Sequence, residues 1–485
     1  MFENYVMINT LSTIMTLAFI VLFFCIIFIY YYIKDSRQTK HTLRKNFPVL
    51  ARGRWIMEHI GTFFRYYLVN NEREELPFSR HSRTSVYISS KDVKRHESFG
   101  STRPHQDGDF QIVHSMFPYI NESTVNSSLT FGDKTNNPYT TNSRFNASAM
   151  SFGALSKEAI LSISQGLKMA NGWMNTGEGG LSEYHTASGV DIVFQIGTGK
   201  FNVGNADSTL NEEKLTQMAN HSQIKMFEIK LSQGAKPGKG GILPGSKVND
   251  EIAKIRGIER GKSSISPNRH VEITDMESLL EFIKRVKSIT KKPTGIKLCA
   301  NSPSDLENMI IAFSKQSHDN GFIPDFITID SSDGGTGSAP TAFLDVMGMN
   351  IKESLPVLNQ LLIKYSLKDD IKIIASGKLI TPVEIAWAFA NGADSVNSAR
   401  GFLFSLGCIQ ARQCNKNTCP TGIATNNKKL RKGLIPEVKS VRVFNYHKNT
   451  HKDLMDIAHA CGVQSFEDLN SSHIRYPDRI NIVNL

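Results

Sequence analysis

Cysteine and tryptophan are scarce in this 485-residue chain, with six and three copies. Six thiols over such a length do not make a disulfide framework, which excludes the small stapled secreted class. No charged residue occurs between Asn4 and Ile33. Only Glu3 is charged ahead of that run, so the positive leading region of a cleaved signal peptide is missing, and the run is too long for a signal core. No G-x-G-x-x-G follows a strand, so the dinucleotide fingerprint is absent. The formal charge is +11, yet basic residues in the folded part are not clustered with aromatics, which argues against nucleic acid.

The uncharged run is itself a feature. Residues 11–32 are nearly all apolar, and about twenty such residues cross a bilayer as a helix. Tyr30, Tyr31 and Tyr32 stand where an interfacial aromatic belt is expected. Lys34, Arg37, Lys40, Arg44, Lys45, Arg52 and Arg54 follow, against Asp35 alone. The positive-inside rule then predicts a single-pass anchor in the cell membrane over residues 1–34, with the carboxyl-terminal bulk cytoplasmic. Residues 55–68 carry Trp55, Ile56, Ile60, Phe63, Phe64, Tyr67 and Leu68 at helical spacing. That helix either lies along the membrane surface or packs on the main domain. Residues 35–142 read as a juxtamembrane segment and arm, irregular and polar from residue 70.

From residue 145 onward, strand-like and helix-like runs alternate. Strand candidates fall at 145–151, 173–176, 191–196, 224–232, 294–300, 326–331, 371–375 and 395–399. Helix candidates fall at 156–170, 276–289, 306–318 and 351–365, and from the Ser376-Gly377 turn through Trp387. About eight strand–helix units over roughly 280 residues have the size and rhythm of a (β/α)8 TIM barrel, with a doubly wound sheet as the alternative. The expected plan is therefore an α/β barrel with its cysteine loop at 143–425, preceded by one transmembrane helix and an irregular arm. A tail, 426–485, follows and packs on the barrel's outside.

Chemistry in such a barrel gathers at the carboxyl ends of the strands. Polar and glycine clusters fall there: Ser151-Phe152-Gly153, residues 175–180, 233–241 and 333–337, Ser376-Gly377, and residues 397–400. Asp333-Gly334-Gly335-Thr336-Gly337 can turn backbone N–H groups toward an anion. Gly377, Ala399 and Arg400 follow the last two strands, where barrels hold phosphate. Any one of these glycines alone is a tight turn; the set suits a phosphate-bearing cofactor. Cys408, Cys414 and Cys419 put three thiols on one loop before Pro420, a donor set for an iron–sulfur cluster, for zinc with a further ligand, or for buried packing. Lys230, Gln233, Lys236 and Lys239 lie on a glycine-bordered loop that binds a dicarboxylate or is a solvated face. Arg256 offers a bidentate grip on a carboxylate.

Several stretches occur in the order of a known family. They are Ser151-Phe152-Gly153 with Ser156-Lys157-Glu158, Asn175-Thr176-Gly177-Glu178-Gly179-Gly180 and Gln233-Gly234-Ala235-Lys236-Pro237-Gly238. Leu243-Pro244-Gly245, Asp333-Gly334-Gly335-Thr336-Gly337 and Asn417-Thr418-Cys419-Pro420 complete the set. Residues 145–425 thereby resemble the FMN-binding synthase domain of glutamate synthases, and most closely its short membrane-anchored members. The resemblance implies a (β/α)8 barrel with FMN, and a 3Fe-4S cluster on Cys408, Cys414 and Cys419. It implies reductive amination of 2-oxoglutarate by ammonia through 2-iminoglutarate to glutamate. Lys236 and Arg256 would hold the keto acid, with Glu178 near the ammonia entry. Lys230 and Gln233 would lie beside flavin or substrate, and Ser151, Asp333, Gly334, Gly335, Gly377, Ala399 and Arg400 along the FMN.

Three departures follow. The glutamine-hydrolysing domain that opens full-length members is not among these residues, which implies a separate glutaminase or free ammonia. The missing dinucleotide fingerprint implies an external electron donor such as ferredoxin. Ile242 stands where the family has a Gln after the glycine pair of the lysine loop, which bears on the choice of keto acid. The alternatives are a flavin and iron–sulfur oxidoreductase acting on another keto or imino acid or a membrane redox carrier, and a non-catalytic assembly subunit. The intact lysine, Glu178 and cysteine motifs argue against the last.

Overall fold

A computed structural model describes residues 2–93, 96–103, 109–120, 128–319 and 321–477. Residues 94–95, 104–108 and 121–127 of the expected arm, and 478–485 of the expected tail, lie outside the described residues. The chain divides into two compact units, Met1–His81 and Ser82–Leu485.

The first unit opens with a helix, Phe2–Arg37. Within it Met7–Arg37 is long and apolar enough to cross a membrane, its most apolar 18 residues having a mean hydropathy of 2.8. A short helix Thr42–Asn46 and a longer one, Leu50–Phe64, follow, the latter continuing as a π turn over Arg65–Val69. The Asp35 carboxylate accepts two bonds from Arg52, from Nε at 2.7 Å and Nη2 at 2.6 Å. It also accepts one from the Val49 N–H at 3.2 Å. This fork ties the start of the Leu50–Phe64 helix to the last turn of the first helix.

The second unit is built on eight parallel strands: β1 (Phe145–Ala147), β2 (Trp173–Asn175), β3 (Asp191–Ile196), β4 (Ile224–Lys230), β5 (Thr294–Leu298), β6 (Phe326–Asp330), β7 (Lys372–Ser376) and β8 (Ser395–Ser398). Hydrogen-bonded order runs β1-β8-β7-β6-β5-β4-β3-β2, the circuit of a (β/α)8 barrel. Between β1 and β2 the Asn146 side chain accepts the Trp173 N–H at 2.9 Å, and Met150 N–H reaches the Asn175 carbonyl at 3.3 Å. A side chain thus closes the seam that a strand ladder leaves open. The strands are buried on both faces, as covering helices require.

The helices begin where side-chain caps stand. Ser156 caps Lys157–Met169, Asp275 caps Met276–Thr290, Ser302 caps Pro303–His318, Asn350 caps Ile351–Lys364 and Thr381 caps Pro382–Ala390. A hairpin of Leu129–Phe131 with Tyr139–Thr141 plugs the amino-terminal end of the barrel. Phe131 packs edge-on against Trp173 and Phe326, each at 5.6 Å between ring centres. Chemistry is left to the other end.

Several elements differ from the sequence reading, among them the hairpin just described and a helix at Glu212–Ala219, neither of them expected. Arg80–Ser90 is a helix within the stretch read as irregular. The segment after β4 is more than a loop: Ile242–Leu243 pairs antiparallel with Ser264–Ile265 around a helix, Asp250–Arg256. Near the carboxyl end, in the tail expected only to pack on the barrel's outside, a helix spans Pro436–Ala460. Its buried face mixes Ser440, His447 and Thr450 with Val443 and Leu454, which blurs the apolar period. Among its polar members His447 Nε2 lies 2.9 Å from Ser143 Oγ, and Ser440 Oγ donates to the Glu437 carbonyl at 3.1 Å.

Candidate active site

Charged side chains line the upper barrel. Glu228, in β4, accepts from Asn175 Nδ2 at 2.9 Å, Gln195 Nε2 at 2.5 Å and Thr328 Oγ1 at 2.7 Å. Lys297 of β5 lies 3.5 Å from Asp330 of β6. Burial works against the Lys297 charge, but Asp330, Glu228 and Glu178 together hold its ammonium above the ordinary lysine value. Asp330 also accepts the Gly234 N–H at 3.0 Å, which pins the lysine loop to β6. None of Glu228, Lys297 or Asp330 was among the residues singled out from sequence. Their signal was a charged residue inside an otherwise apolar buried strand.

Above this floor Glu178, Lys230, Gln233, Lys236 and Arg256 come together. Glu178 follows β2, and its carboxylate lies 3.1 Å from the ammonium of Lys230, the last residue of β4. Lys230 also donates to Gln233, and Lys236 donates to the Ser338 carbonyl at 2.9 Å. Arg256 ends its short helix, donates to Ser264 Oγ at 3.2 Å and lies over the Phe201 ring at 5.0 Å. Burial disfavours charge on Glu178, yet Lys230, Lys236 and Arg256 hold it below the ordinary carboxylate value. Burial brings Lys236 down to about 8 and Arg256 to about 10, each opposed by Glu178.

Glycines make this closeness possible. A Cβ on Gly241 would stand 2.0 Å from Glu178 Oε1, and one on Gly197 would stand 2.5 Å from Glu178 Cβ. Ser151 belongs to the same wall, since a Cβ on Gly179 would meet Ser151 Cβ and Arg256 Nη2, both at 2.7 Å. Three cations face one carboxylate, an excess of positive charge suited to a dianion.

The ends of β6, β7 and β8 form a second group. Asp333 pairs with Lys378 at 2.7 Å, and burial notwithstanding, Lys378 and Ser331 keep its carboxyl below the ordinary value. Arg400 Nη2 donates to the Asp333 carbonyl at 3.2 Å, and its Nε would stand 3.1 Å from a Cβ on Gly335. Gly334 packs on Ser331 and Asp330, and Gly377 on Ser331 with φ +121°. Ala399 caps the short helix Arg400–Ser405 without a side-chain bond. Asn397 Oδ1 at β8, like Arg256 Nε at the other wall, is buried without a hydrogen-bond partner among the described residues. A phosphorylated cofactor fits here: glycine backbone and two cations line the β6–β8 side, and buried polar atoms remain to be met.

The cysteine loop adjoins the Glu178 wall through Lys247. Its ammonium donates to the Ala154 carbonyl at 2.5 Å and the Cys414 carbonyl at 3.3 Å. On another side Tyr87 donates its hydroxyl to the Cys408 carbonyl at 2.5 Å. Cys408, Cys414 and Cys419 are all unpaired. Burial pushes the Cys408 thiol up to about 12, and the neighbouring charges of Cys414 and Cys419 add to it. Among the described residues no three Cys, His, Asp or Glu side chains form a metal-holding group. The fit to a cluster therefore rests on the donors: three soft sulfurs on one loop beside the buried cations Lys247 and Arg83.

Residues 111–464 match the conserved region in glutamate synthase. The chain is 39% identical over 504 residues to the glutamate synthase large subunit-like protein YerD of Bacillus subtilis (strain 168), with 95% of each chain covered. It is 36% identical over 330 residues to the archaeal NADPH glutamate synthase of Methanocaldococcus jannaschii. That match covers 67% of this chain and 60% of the archaeal one. Among solved structures, a variant of flavocytochrome b2 with benzoylformate superposes at a TM-score of 0.47 and 14% identity, covering 85% of this chain and 82% of the other. With the conserved region matched over most of its length, this chain belongs to the glutamate synthase family of oxidoreductases.

Proposed function

We propose that this chain is a membrane-anchored FMN and iron–sulfur enzyme that reductively aminates 2-oxoglutarate to L-glutamate. The observation that carries the reading is the convergence of Lys230, Lys236 and Arg256 on Glu178. A keto acid with two carboxylates matches that charge pattern, with Lys236 and Arg256 as its two grips. Glu178 draws in ammonium and takes up the proton released as ammonia adds to the keto carbon. Loss of water then gives 2-iminoglutarate, and a hydride to carbon with a proton to nitrogen completes glutamate. Lys236, poised near neutral pH, supplies that proton. When bound, FMN supplies the hydride and a 3Fe-4S cluster on Cys408, Cys414 and Cys419 relays single electrons. Ser151, Lys230 and Gln233 serve the ring side of the flavin. Gly334, Gly335, Gly377, Ala399 and Arg400 serve its phosphate, with Asp333 orienting Lys378 and Arg400.

The helix Phe2–Arg37 is read as a single-pass cell-membrane anchor with the barrel cytoplasmic. Electrons come from an external donor such as ferredoxin, and nitrogen from free ammonia or a separate glutaminase. The deciding experiment assays flavin and iron in the purified protein, then glutamate formation from 2-oxoglutarate and 15N-ammonium with reduced ferredoxin. Protein free of both cofactors would point to a non-catalytic assembly subunit. Reduced flavin without glutamate would point to another keto or imino acid or a membrane redox carrier. Ile242 favours that second reading, because it puts an apolar side chain next to Gly241, where the Glu178 carboxylate packs.

A further inference from the structure

We propose that the helix Leu50–Phe64, with its continuation Arg65–Val69, is an interfacial element lying in the headgroup layer of an anionic bilayer, one apolar face turned into the lipid. This rests on the membrane-anchor reading of the first helix and adds a second contact of different chemistry.

Leu50, Met57 and Phe64, seven residues apart, share one side of the helix. They are 80%, 63% and 53% exposed. Leu68 falls on the same side, and exposed Ile56 and Tyr67 widen the apolar arc on one flank, while Arg54, Arg65 and Glu58 stand about 60–100° round from Met57 on the opposite flank. A helix with one apolar face and charged flanks, left uncovered, is the pattern of an in-plane membrane helix.

Its depth is set independently. The fork between Asp35 and Arg52 holds the helix start at the last turn of Phe2–Arg37. The Arg52 guanidinium also lies over the Tyr31 ring at 4.1 Å. The uncharged run ends at Ile33, just before Lys34. A bilayer spanned by the first helix therefore has its headgroup layer level with Leu50.

The charge identifies the lipid. Residues 34–69 hold eight Lys and Arg against Asp35 and Glu58. A second copy of this chain would bring the same positive charge against the face, whereas anionic headgroups complement it.

The full chain, reconstituted in vesicles of phosphatidylglycerol and mid-chain-brominated phosphatidylcholine, tests this by tryptophan quenching. Met57→Trp, Glu58→Trp and Leu17→Trp are each measured against the unsubstituted chain, which carries the background of Trp55, Trp173 and Trp387. Quenching of Met57→Trp about twofold stronger than of Glu58→Trp is expected, shrinking when phosphatidylglycerol is omitted. Leu17→Trp quenched with Met57→Trp no more quenched than Glu58→Trp would overturn the interfacial helix and leave the anchor standing. Leu17→Trp unquenched would overturn the anchor, and the interfacial helix with it. A contrast indifferent to phosphatidylglycerol would overturn the anionic preference.

Discussion

Lys230 Nζ lies 3.1 Å from Glu178 Oε2, joining the end of one barrel strand to the loop after another. Both side chains are largely shielded, at 10% and 16% exposure. Removing one partner of such a pair leaves the other charge uncompensated, at about 3 kcal/mol or more. Glu178→Gln is therefore expected to lower the unfolding midpoint as well as abolish glutamate formation. Denaturant melts and turnover of the same preparation check both.

Lys236 gives the site a pH signature. Burial holds its ammonium at about 8 instead of near 10.5, so it is charged below that pH and neutral above. Binding of a dicarboxylate weakens as pH rises through about 8, by about tenfold per unit where one proton governs it. The KM for 2-oxoglutarate measured against pH shows that limb, and Lys236→Gln removes it. In Glu178→Gln the carboxylate that props up the Lys236 charge is gone. There the limb moves to lower pH in equilibrium binding, which does not require turnover.

Sequence and structure agree where one principle acts alone. All eight strands were legible from the rhythm of strand-like and helix-like runs, although only some, such as β7 with Ile373-Ile374-Ala375, are apolar runs and β8 is Ser395-Val396-Asn397-Ser398. The helix start at Ser156 was legible because that residue caps through its own side chain, whereas the helix expected from the Ser376-Gly377 turn begins only at Pro382, capped by Thr381. Pro436–Ala460 was largely hidden because buried Ser440, His447 and Thr450 break its apolar period, and His447 meets its partner Ser143 only in the folded chain. For the site, Glu178, Lys236 and Arg256 were readable as residue types beside glycines. Their mutual approach was not, since it depends on Gly241 and Gly197 yielding space to Glu178. Glu228 and Lys297 escaped notice because a charge within an apolar run, though a signal, reads equally as a solvent-facing position until the barrel closes around it.

The cysteine loop yields a prediction separable from the flavin site. Cys414→Ser removes one of three thiolate donors. Iron content and the visible absorption of the cluster are expected to fall while most of the flavin is retained, because Gly377 follows β7 and Arg400 opens the helix Arg400–Ser405, both outside the cysteine loop. Iron assay and flavin release on one sample measure both. Loss of flavin together with iron would contradict the separation.

Gly377 is required twice over. Its φ of +121° favours glycine, and a Cβ there would stand 2.2 Å from Ser331 Cβ. Ser331 in turn donates to Asp333 and accepts the Ile351 N–H at 3.0 Å, so it cannot retreat freely. Gly377→Ala is expected to cost about 1–3 kcal/mol in backbone strain alone and to lower flavin content. Thermal melts with and without added FMN check it.

Gly241 tests position without touching charge. Its backbone is not in the left-handed region, so alanine strains no dihedral there. The added methyl would stand 2.0 Å from Glu178 Oε1 and must drive the carboxylate aside. Displacement of a catalytic group by about 1 Å costs on the order of 100-fold in rate. Gly241→Ala is thus expected to lose about that much kcat while the barrel melts near its usual temperature, because residue 241 lies in the segment after β4 and not in a barrel strand. Measured beside Glu178→Gln, it separates having the carboxylate from having it in place: equal activity of Gly241→Ala and the unsubstituted enzyme would show that the Glu178 position does not limit the reaction.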